Sequence, residues 1–194
     1  MDRAERPCRD AAALLMRTRL FWTLSTLAAA ATLAASPAHA QASEDAVKAA
    51  FLPKFARYID APSARPAETQ PFYLCLIGRD PFRGMIDKAA GSEMIEGHPV
   101  AVRRFASTDS PAIAGCNIAY VSGATDAVTM QMLAVLRRQA TLTVTDGRWG
   151  KARGMIHFAV VGGRVRFHID QGSASARGIA ISSRLLALAV EVKQ

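Results

Sequence analysis

The chain has 194 residues, of which 51% are apolar, and a formal net charge of +8. Its basic residues are scattered and are not interleaved with aromatic ones, which argues against a nucleic-acid-binding protein, because such proteins present a clustered basic face. The chain lacks internal repeats and low-complexity tracts, so a single globular core is expected.

The first 40 residues have the features of a leader that is removed on export. Arginines precede an uncharged apolar run over residues 20–35, and Ala38-His39-Ala40 supplies the small residues that signal peptidase accepts. The apolar run is shorter than the roughly 20 residues that a bilayer span needs. We therefore predict a functional start at Met16, cleavage after Ala40 and an exported chain without a transmembrane span.

Removal of the leader leaves residues 41–194, a length that favours one domain. The net charge of this mature chain is about +6. A mildly positive surface suits attraction to anionic lipid headgroups or to an acidic partner at a membrane.

The mature chain begins with a predicted helix over residues 44–59. Ser43 is a suitable N-cap, and apolar residues recur at intervals of four, four and three from Val47 to Tyr58. Pro53 removes a backbone donor inside this helix, so a kink is expected there.

A short apolar run over residues 72–77 predicts a buried strand that ends at Gly78. Asp80 is suited to cap the helix that follows over residues 81–90, which ends near Gly91. The next predicted elements are a strand over 100–105, a loop over 107–115, a strand over 118–121, a helix to residue 138 and a strand over 142–144.

The last third of the chain starts with a glycine-rich, basic stretch over residues 146–154, which predicts a solvated loop. Residues 155–161 and 164–169 flank Gly162-Gly163 and predict a β-hairpin. The tail over residues 173–192 is predicted to be largely helical. This alternating order predicts an α/β fold of three layers, with a mostly parallel sheet, helices on both faces and the hairpin as an antiparallel edge.

Two cysteines, Cys75 and Cys116, remain after the leader is removed, and an exported protein folds in an oxidising compartment. A disulfide between them would close a loop of about 40 residues and stabilise the fold by roughly 4 kcal/mol. Two unpaired buried thiols are the alternative. A redox-catalytic pair is disfavoured, because no Cys-x-x-Cys is present.

Motifs of the commonest enzyme classes are missing from the sequence. It contains no Gly-x-Ser-x-Gly elbow and no His-Glu-x-x-His, so a serine hydrolase and a zinc protease are disfavoured, and no cofactor or metal is expected. His157 and His168 are predicted to face each other across the hairpin. They form either a two-histidine edge site for a metal or a cross-strand polar pair, of which the pair is favoured.

Two further places are candidate binding sites. Arg79 and Asp80 lie at a strand-to-helix turn, where backbone amides can hold a small anion, although turn formation alone explains the sequence. Trp149 lies in the basic loop, where it either contacts a partner or folds back onto the sheet.

Motifs spread over residues 46–190 resemble the YfiR family of periplasmic proteins. Each motif alone is mostly core and turn pattern, but their order and spacing are fairly specific. The motifs are Val47-Lys48-Ala49-Ala50-Phe51-Leu52, Leu76-Ile77-Gly78-Arg79-Asp80-Pro81-Phe82, Gly154-Met155-Ile156-His157-Phe158, Val165-Arg166-Phe167-His168-Ile169-Asp170 and Ile181-Ser182-Ser183-Arg184-Leu185-Leu186.

The resemblance implies a periplasmic regulator, not an enzyme. Such a regulator binds and represses the periplasmic sensor part of an inner-membrane diguanylate cyclase, which lowers cyclic di-GMP and restrains biofilm formation. Family members are typically dimers, so a homodimer is expected. One cysteine pair of the family falls on Cys75 and Cys116, and the second pair that some members carry near the hairpin is absent. Pro53 and His168-Ile169-Asp170 also depart from the family pattern, so the partner surface is expected to differ.

The hairpin and its approach loop are the predicted docking surface for the cyclase, because an exposed edge beside an apolar hairpin can recruit another chain. The candidate contact residues are Trp149, Phe158, Val165, Phe167 and Ile169. The competing hypothesis is a periplasmic ligand-binding module without a cyclase partner. It would take a small anion beside Arg79, in the crevice at the carboxyl ends of the parallel strands.

Overall fold

The computed structural model describes residues 37–62 and 65–194, with side chains from Glu44 onward. The predicted leader, its start at Met16 and its cleavage site therefore lie outside the residues whose side chains are described. Residues Gln41–Gln194 form one compact unit. Within the described ranges, no helix has both the length and the apolar character required to cross a bilayer.

Ten strands and five α-helices, joined in places by short 3-10 turns, make up the described part of the chain. The helices are α1 (Pro37–Phe55), α2 (Gly84–Ala90), α3 (Asp126–Leu136), α4 (Gln171–Ser175) and α5 (Ser183–Leu186). The strands are β1 (Ile59–Asp60), β2 (Phe72–Gly78), β3 (Met94–Ile95), β4 (His98–Phe105), β5 (Ile118–Ser122), β6 (Leu142–Asp146), β7 (Ile156–Val161), β8 (Arg164–Asp170), β9 (Ala180–Ile181) and β10 (Glu191–Lys193).

Eight of the strands form one sheet in the order β10-β8-β7-β6-β5-β2-β4-β3. The pairs β10/β8, β7/β6, β6/β5, β5/β2 and β2/β4 are parallel, while β7/β8 and β3/β4 are antiparallel. Strands β1 and β9 pair separately and antiparallel. The predicted α/β class with a mostly parallel sheet is confirmed.

Helices cover both faces of the sheet, because the central strands are apolar on both sides. Leu74 and Leu76 of β2 face a core that includes side chains of α1 and α2. Cys75 and Ile77, which alternate with them, face a smaller core built with α3. This alternation follows from the two-residue period of a strand, and it explains why β2 reads as a continuous apolar run.

Helix α1 begins earlier than the sequence pattern predicts, at Pro37 instead of after Ser43. It ends at Phe55, and a 3-10 turn continues to Tyr58, close to the predicted end. Pro53 lies inside the helix, two residues before its end. Because the helix ends soon afterwards, the missing backbone N–H of Pro53 affects few of its hydrogen bonds.

The predicted helix over residues 81–90 starts only at Gly84. Asp80 does not cap it. Its carboxylate instead accepts hydrogen bonds from the backbone N–H groups of Phe82 and Arg83, at 2.8 and 3.0 Å, in the turn before the helix. Arg83, the N-cap residue, has a positive φ of 50°, which is not a helical conformation. The helix therefore begins only at the next residue, Gly84.

The sequence predicts a largely helical C-terminal tail, and the structure shows that this prediction is wrong. The tail contains two short helices, a two-residue strand and the strand β10, which pairs with residues His168–Asp170 of β8. The hairpin is therefore not the sheet edge along its whole length. A terminal strand of three residues carries too little pattern to be distinguished from a helix end.

The sequence predicts a solvated loop over the glycine-rich residues 146–154. In the structure, hydrogen bonds to α3 hold part of this stretch in place. Asp126 at the start of α3 accepts hydrogen bonds from the backbone N–H groups of Lys151 and Ala152, at 2.8 and 3.1 Å. These donors lower the pKa of Asp126. Gly150 has a φ of +138°, and a Cβ there would lie 2.0 Å from the Asp126 carboxylate, so glycine is required.

Candidate functional site

Most apolar side chains of the β7–β8 hairpin point into the core. Phe158, Phe167 and Ile169 are 0%, 3% and 2% exposed. The rings of Phe51 and Phe55 in α1 cover Phe158 and Phe167, with centroids between 5.4 and 6.5 Å apart. The predicted partner contacts Phe158, Phe167 and Ile169 are thus core residues of this fold, and we do not place them on a docking surface.

The outer end of the hairpin is open to solvent. Val160 and Val161 are 51% and 49% exposed, and Val165 is half-buried. On the edge of β8 that faces away from β7, backbone hydrogen bonds begin at Phe167, whose carbonyl accepts from the backbone N–H of Val190. In the described chain, Arg164–Arg166 has no strand on that side. We call Val160, Val161 and Arg164–Arg166 the hairpin tip.

Trp149 is half-buried and folds back onto the sheet. Its Nε1 donates a hydrogen bond to the Tyr120 hydroxyl at 2.9 Å. Two guanidinium groups contact its ring, with those of Arg79 and Arg148 at 4.9 and 4.6 Å from the ring centroid. Burial raises the pKa of Tyr120, so its hydroxyl stays protonated at neutral pH. These contacts fix the indole, and contact with a partner stays a prediction for Trp149.

Arg79 and Asp80 lie just after the carboxyl end of β2, the position that the ligand hypothesis requires. The chain runs from β2 through β3 to β4 on one side of β2, and β5 lies on its other side, so the carboxyl ends of β2 and β5 form the switch point of the sheet. Arg79 donates to the carbonyl of Ala124 at 2.6 Å, and the Trp149 ring covers it.

The carboxylate of Asp80 is occupied by donors of the chain itself. Besides its backbone partners, it accepts from Arg104 Nε at 2.8 Å. Arg104 also binds Asp87 at 2.7 Å, and this hydrogen bond lowers the pKa of Asp87. Arg79 and Asp80 therefore have structural partners, and the ligand role stays a prediction for both.

A buried ionic network, which sequence analysis missed, joins helix α1 to the end of β6. The Lys48 side chain is fully buried, and its ammonium binds the carboxylates of Glu44 and Asp146, the second at 2.6 Å. Arg148 binds Asp45 at 2.6 Å. The spacing of Glu44 and Lys48, four residues apart on a helix, is the one signal of this network in the sequence.

His157 and His168 form the cross-strand pair that the hairpin register predicts. The rings are 6.4 Å apart. His157 is buried, and its Nδ1 lies 2.8 Å from the hydroxyl of Thr145. His168 lies 3.2 Å from Glu191 of β10. No cluster of three or more potential metal ligands occurs in the residues that the structure describes.

The burial of His157 makes the stability of the protein depend on pH. Burial and the nearby charges of Arg153 and His168 lower the pKa of His157 from 6.5 to about 4. The folded state thus resists protonation, and the stability from neutral His157 is complete above pH 6.5 and is lost as the pH falls toward 4. We expect this group to account for on the order of 3 kcal/mol of the lost unfolding free energy.

Urea unfolding at pH 7.5 and pH 4.5 measures this effect. The His157→Gln variant is expected to show a smaller loss on acidification than wild type, and His98→Gln, which changes a less buried histidine, the same loss as wild type. An equal loss in wild type and His157→Gln would contradict the assignment.

The two cysteines of the mature chain are joined. A disulfide links Cys75 in β2 to Cys116, just before β5, with Cα atoms 5.8 Å apart. Both residues are buried beneath α3, at 0% and 2% exposure. Because β2 and β5 are parallel neighbours, the bridge closes the crossover that contains α2 and β4.

Comparison with known proteins places this arrangement in a family. No curated protein matches the chain. A family model described as YfiR/HmsC-like matches residues 45–190, which include seven of the eight strands of the large sheet, all but β10. The chain therefore belongs to the YfiR/HmsC-like family.

Proposed function

We propose that this protein is a periplasmic regulator that binds the periplasmic sensor part of an inner-membrane diguanylate cyclase and represses it. Repression lowers cyclic di-GMP and biofilm formation. The observation that carries the proposal is the family match over residues 45–190, since the YfiR/HmsC-like family consists of periplasmic regulators of diguanylate cyclase signalling, not of enzymes.

Two features of the chain agree with work outside the cytosol. The first 40 residues have the pattern of a signal peptide, and we propose cleavage after Ala40. A buried disulfide between Cys75 and Cys116 suits an oxidising compartment. We also propose that the mature protein acts as a homodimer.

The hairpin tip is the surface that we propose for the cyclase contact. It combines exposed valines with a stretch of β8 that has open backbone hydrogen-bonding groups. A strand of the partner can pair with such an edge, while the two valines contact apolar side chains. Arg164 and Arg166, both exposed, favour a partner with acidic residues beside that strand.

The regulatory role is tested in cells that carry the candidate cyclase. Expression of the full chain with its leader is expected to lower cyclic di-GMP, and deletion of the gene to raise it. A version that lacks residues 1–40, which stays in the cytosol, is expected to have no effect. Unchanged cyclic di-GMP on both expression and deletion would reject the proposed function.

The docking surface is tested by a charged residue at the hairpin tip. Val160→Glu is expected to weaken binding of the purified cyclase sensor domain by at least about tenfold, because it places a charge in an apolar contact and repels an acidic partner. The matched control is Val135→Glu on α3, where the valine is 43% exposed. Equal affinity of Val160→Glu and wild type, with both folded, would move the contact elsewhere.

A further inference from the structure

A basic groove lies on the α3 side of the sheet, where the helix ends and β7 and β8 continue. It consists of two adjoining cavities that share Arg153, Gly154 and Asp170. The larger cavity has a volume of about 260 Å³, and its walls include Arg153, His157, His168, Asp170, Glu191 and Lys193. The smaller one lies beside Arg137 and Arg177.

The carboxylates of the groove already have partners within the chain. Asp170 accepts from Lys193 at 3.2 Å and from the backbone N–H of Ser173 at 2.7 Å. Glu191 lies 3.2 Å from His168. The two cavities are lined by four basic side chains, Arg137, Arg153, Arg177 and Lys193, and by two carboxylates, Asp170 and Glu191, so positive charge is in excess.

Three guanidinium groups around the groove lack an acidic partner. Across residues 37–62 and 65–194, no carboxylate lies within ion-pair distance of Arg137, Arg153 or Arg177. Arg177 donates only to the backbone carbonyls of Arg137 and Ser173, at 3.3 and 2.9 Å. Burial is the main cause that lowers the pKa of Arg177; the charge of Arg137 acts in the same direction and that of Asp170 opposes it.

We propose that this groove binds a small oxyanion with more than one negative charge, a phosphate or a polycarboxylate. Planar guanidinium groups bind the paired oxygens of such anions through two parallel hydrogen bonds. The volume of the larger cavity, about 260 Å³, suits a ligand of this size, and a concave site concentrates the field of the charges around it. The groove is formed by different helices and strands from those around Arg79. The proposal does not depend on the cyclase contact.

The probes are inorganic phosphate, citrate and vesicles that contain phosphatidic acid, whose headgroup is a phosphomonoester, each compared with chloride at constant ionic strength. Calorimetric titration of the full mature chain is expected to show saturable binding of at least one probe. Phosphate and citrate distinguish the two oxyanion chemistries, and binding of the vesicles alone would identify a lipid headgroup as the source of the phosphate.

Arg153→Gln is expected to weaken that binding by at least about tenfold, since it removes a charge-assisted hydrogen bond, while the fold loses no contact. Arg177→Gln is expected to act in the same direction, with its folding checked by thermal unfolding. The control is Arg138→Gln, which removes the same charge outside the groove and is expected to change affinity less than twofold. Absence of saturable binding by all three probes, or an equal loss in Arg138→Gln and Arg153→Gln, would overturn the proposal.

Discussion

Replacement of Lys48 by methionine is expected to lower the free energy of unfolding by about 3–5 kcal/mol, because it leaves a buried carboxylate without its cation. The Asp146 side chain is 1% exposed, and Lys48 is its closest cationic partner at 2.6 Å. The other, Arg148, is 3.7 Å away. The loss is measured as the difference in urea-unfolding free energy at pH 7.5.

A double-mutant cycle separates the ion pair from the packing of the lysine stem. Lys48→Met with Asp146→Asn is expected to cost less than the sum of the two single changes, since each single variant strands one charge. The matched control is Lys193→Met, which breaks the pair with Asp170 where the lysine is 73% exposed. It is expected to cost less than about 1 kcal/mol. Equal losses for Lys48→Met and Lys193→Met would show that the network contributes little.

Removal of the disulfide by Cys75→Ala with Cys116→Ala is expected to lower the unfolding free energy by about 4 kcal/mol. Cys75 and Cys116 are 41 residues apart in the chain, so the unfolded state has more conformational entropy without the bridge than with it. Alanine avoids a buried hydroxyl at either position. The measurement is chemical unfolding of the oxidised wild type and the double variant.

Reduction of the wild type supplies the control for this experiment. Reduced wild type and the double variant are expected to unfold at similar denaturant concentrations, both well below the oxidised protein. If oxidised wild type and the double variant were equally stable, the bridge would be dispensable for folding.

The elements that sequence analysis predicts correctly are those with a strong local pattern. The apolar run of β2 and the glycine pair of the β7–β8 hairpin each follow from the local sequence alone. Local patterns fail where an element is short or its partner is distant. Strand β10 has three residues, and it is a strand because β8 offers it an edge.

Local sequence patterns are equally limited in assigning roles to individual residues. Phe158, Phe167 and Ile169 are apolar and alternate, which equally suits an exposed binding face or a core face. Helix α1 decides between them, because Phe51 and Phe55 lie against that face of the hairpin. No spacing within the hairpin records the position of a helix more than 100 residues earlier.

The amino-acid sequence alone was enough to predict the α/β class, the order of the main elements and the resemblance to a family of periplasmic regulators. This is because apolar periodicity, turn residues and motif order are local properties of a chain. The three-dimensional fold was needed to show that Lys48 and Asp146 form a buried pair, that two arginines contact the Trp149 ring, and that guanidinium groups without acidic partners line one groove. These arrangements depend on contacts between residues far apart in the chain, whose energies come from burial and distance, and neither quantity is written in the spacing of neighbours.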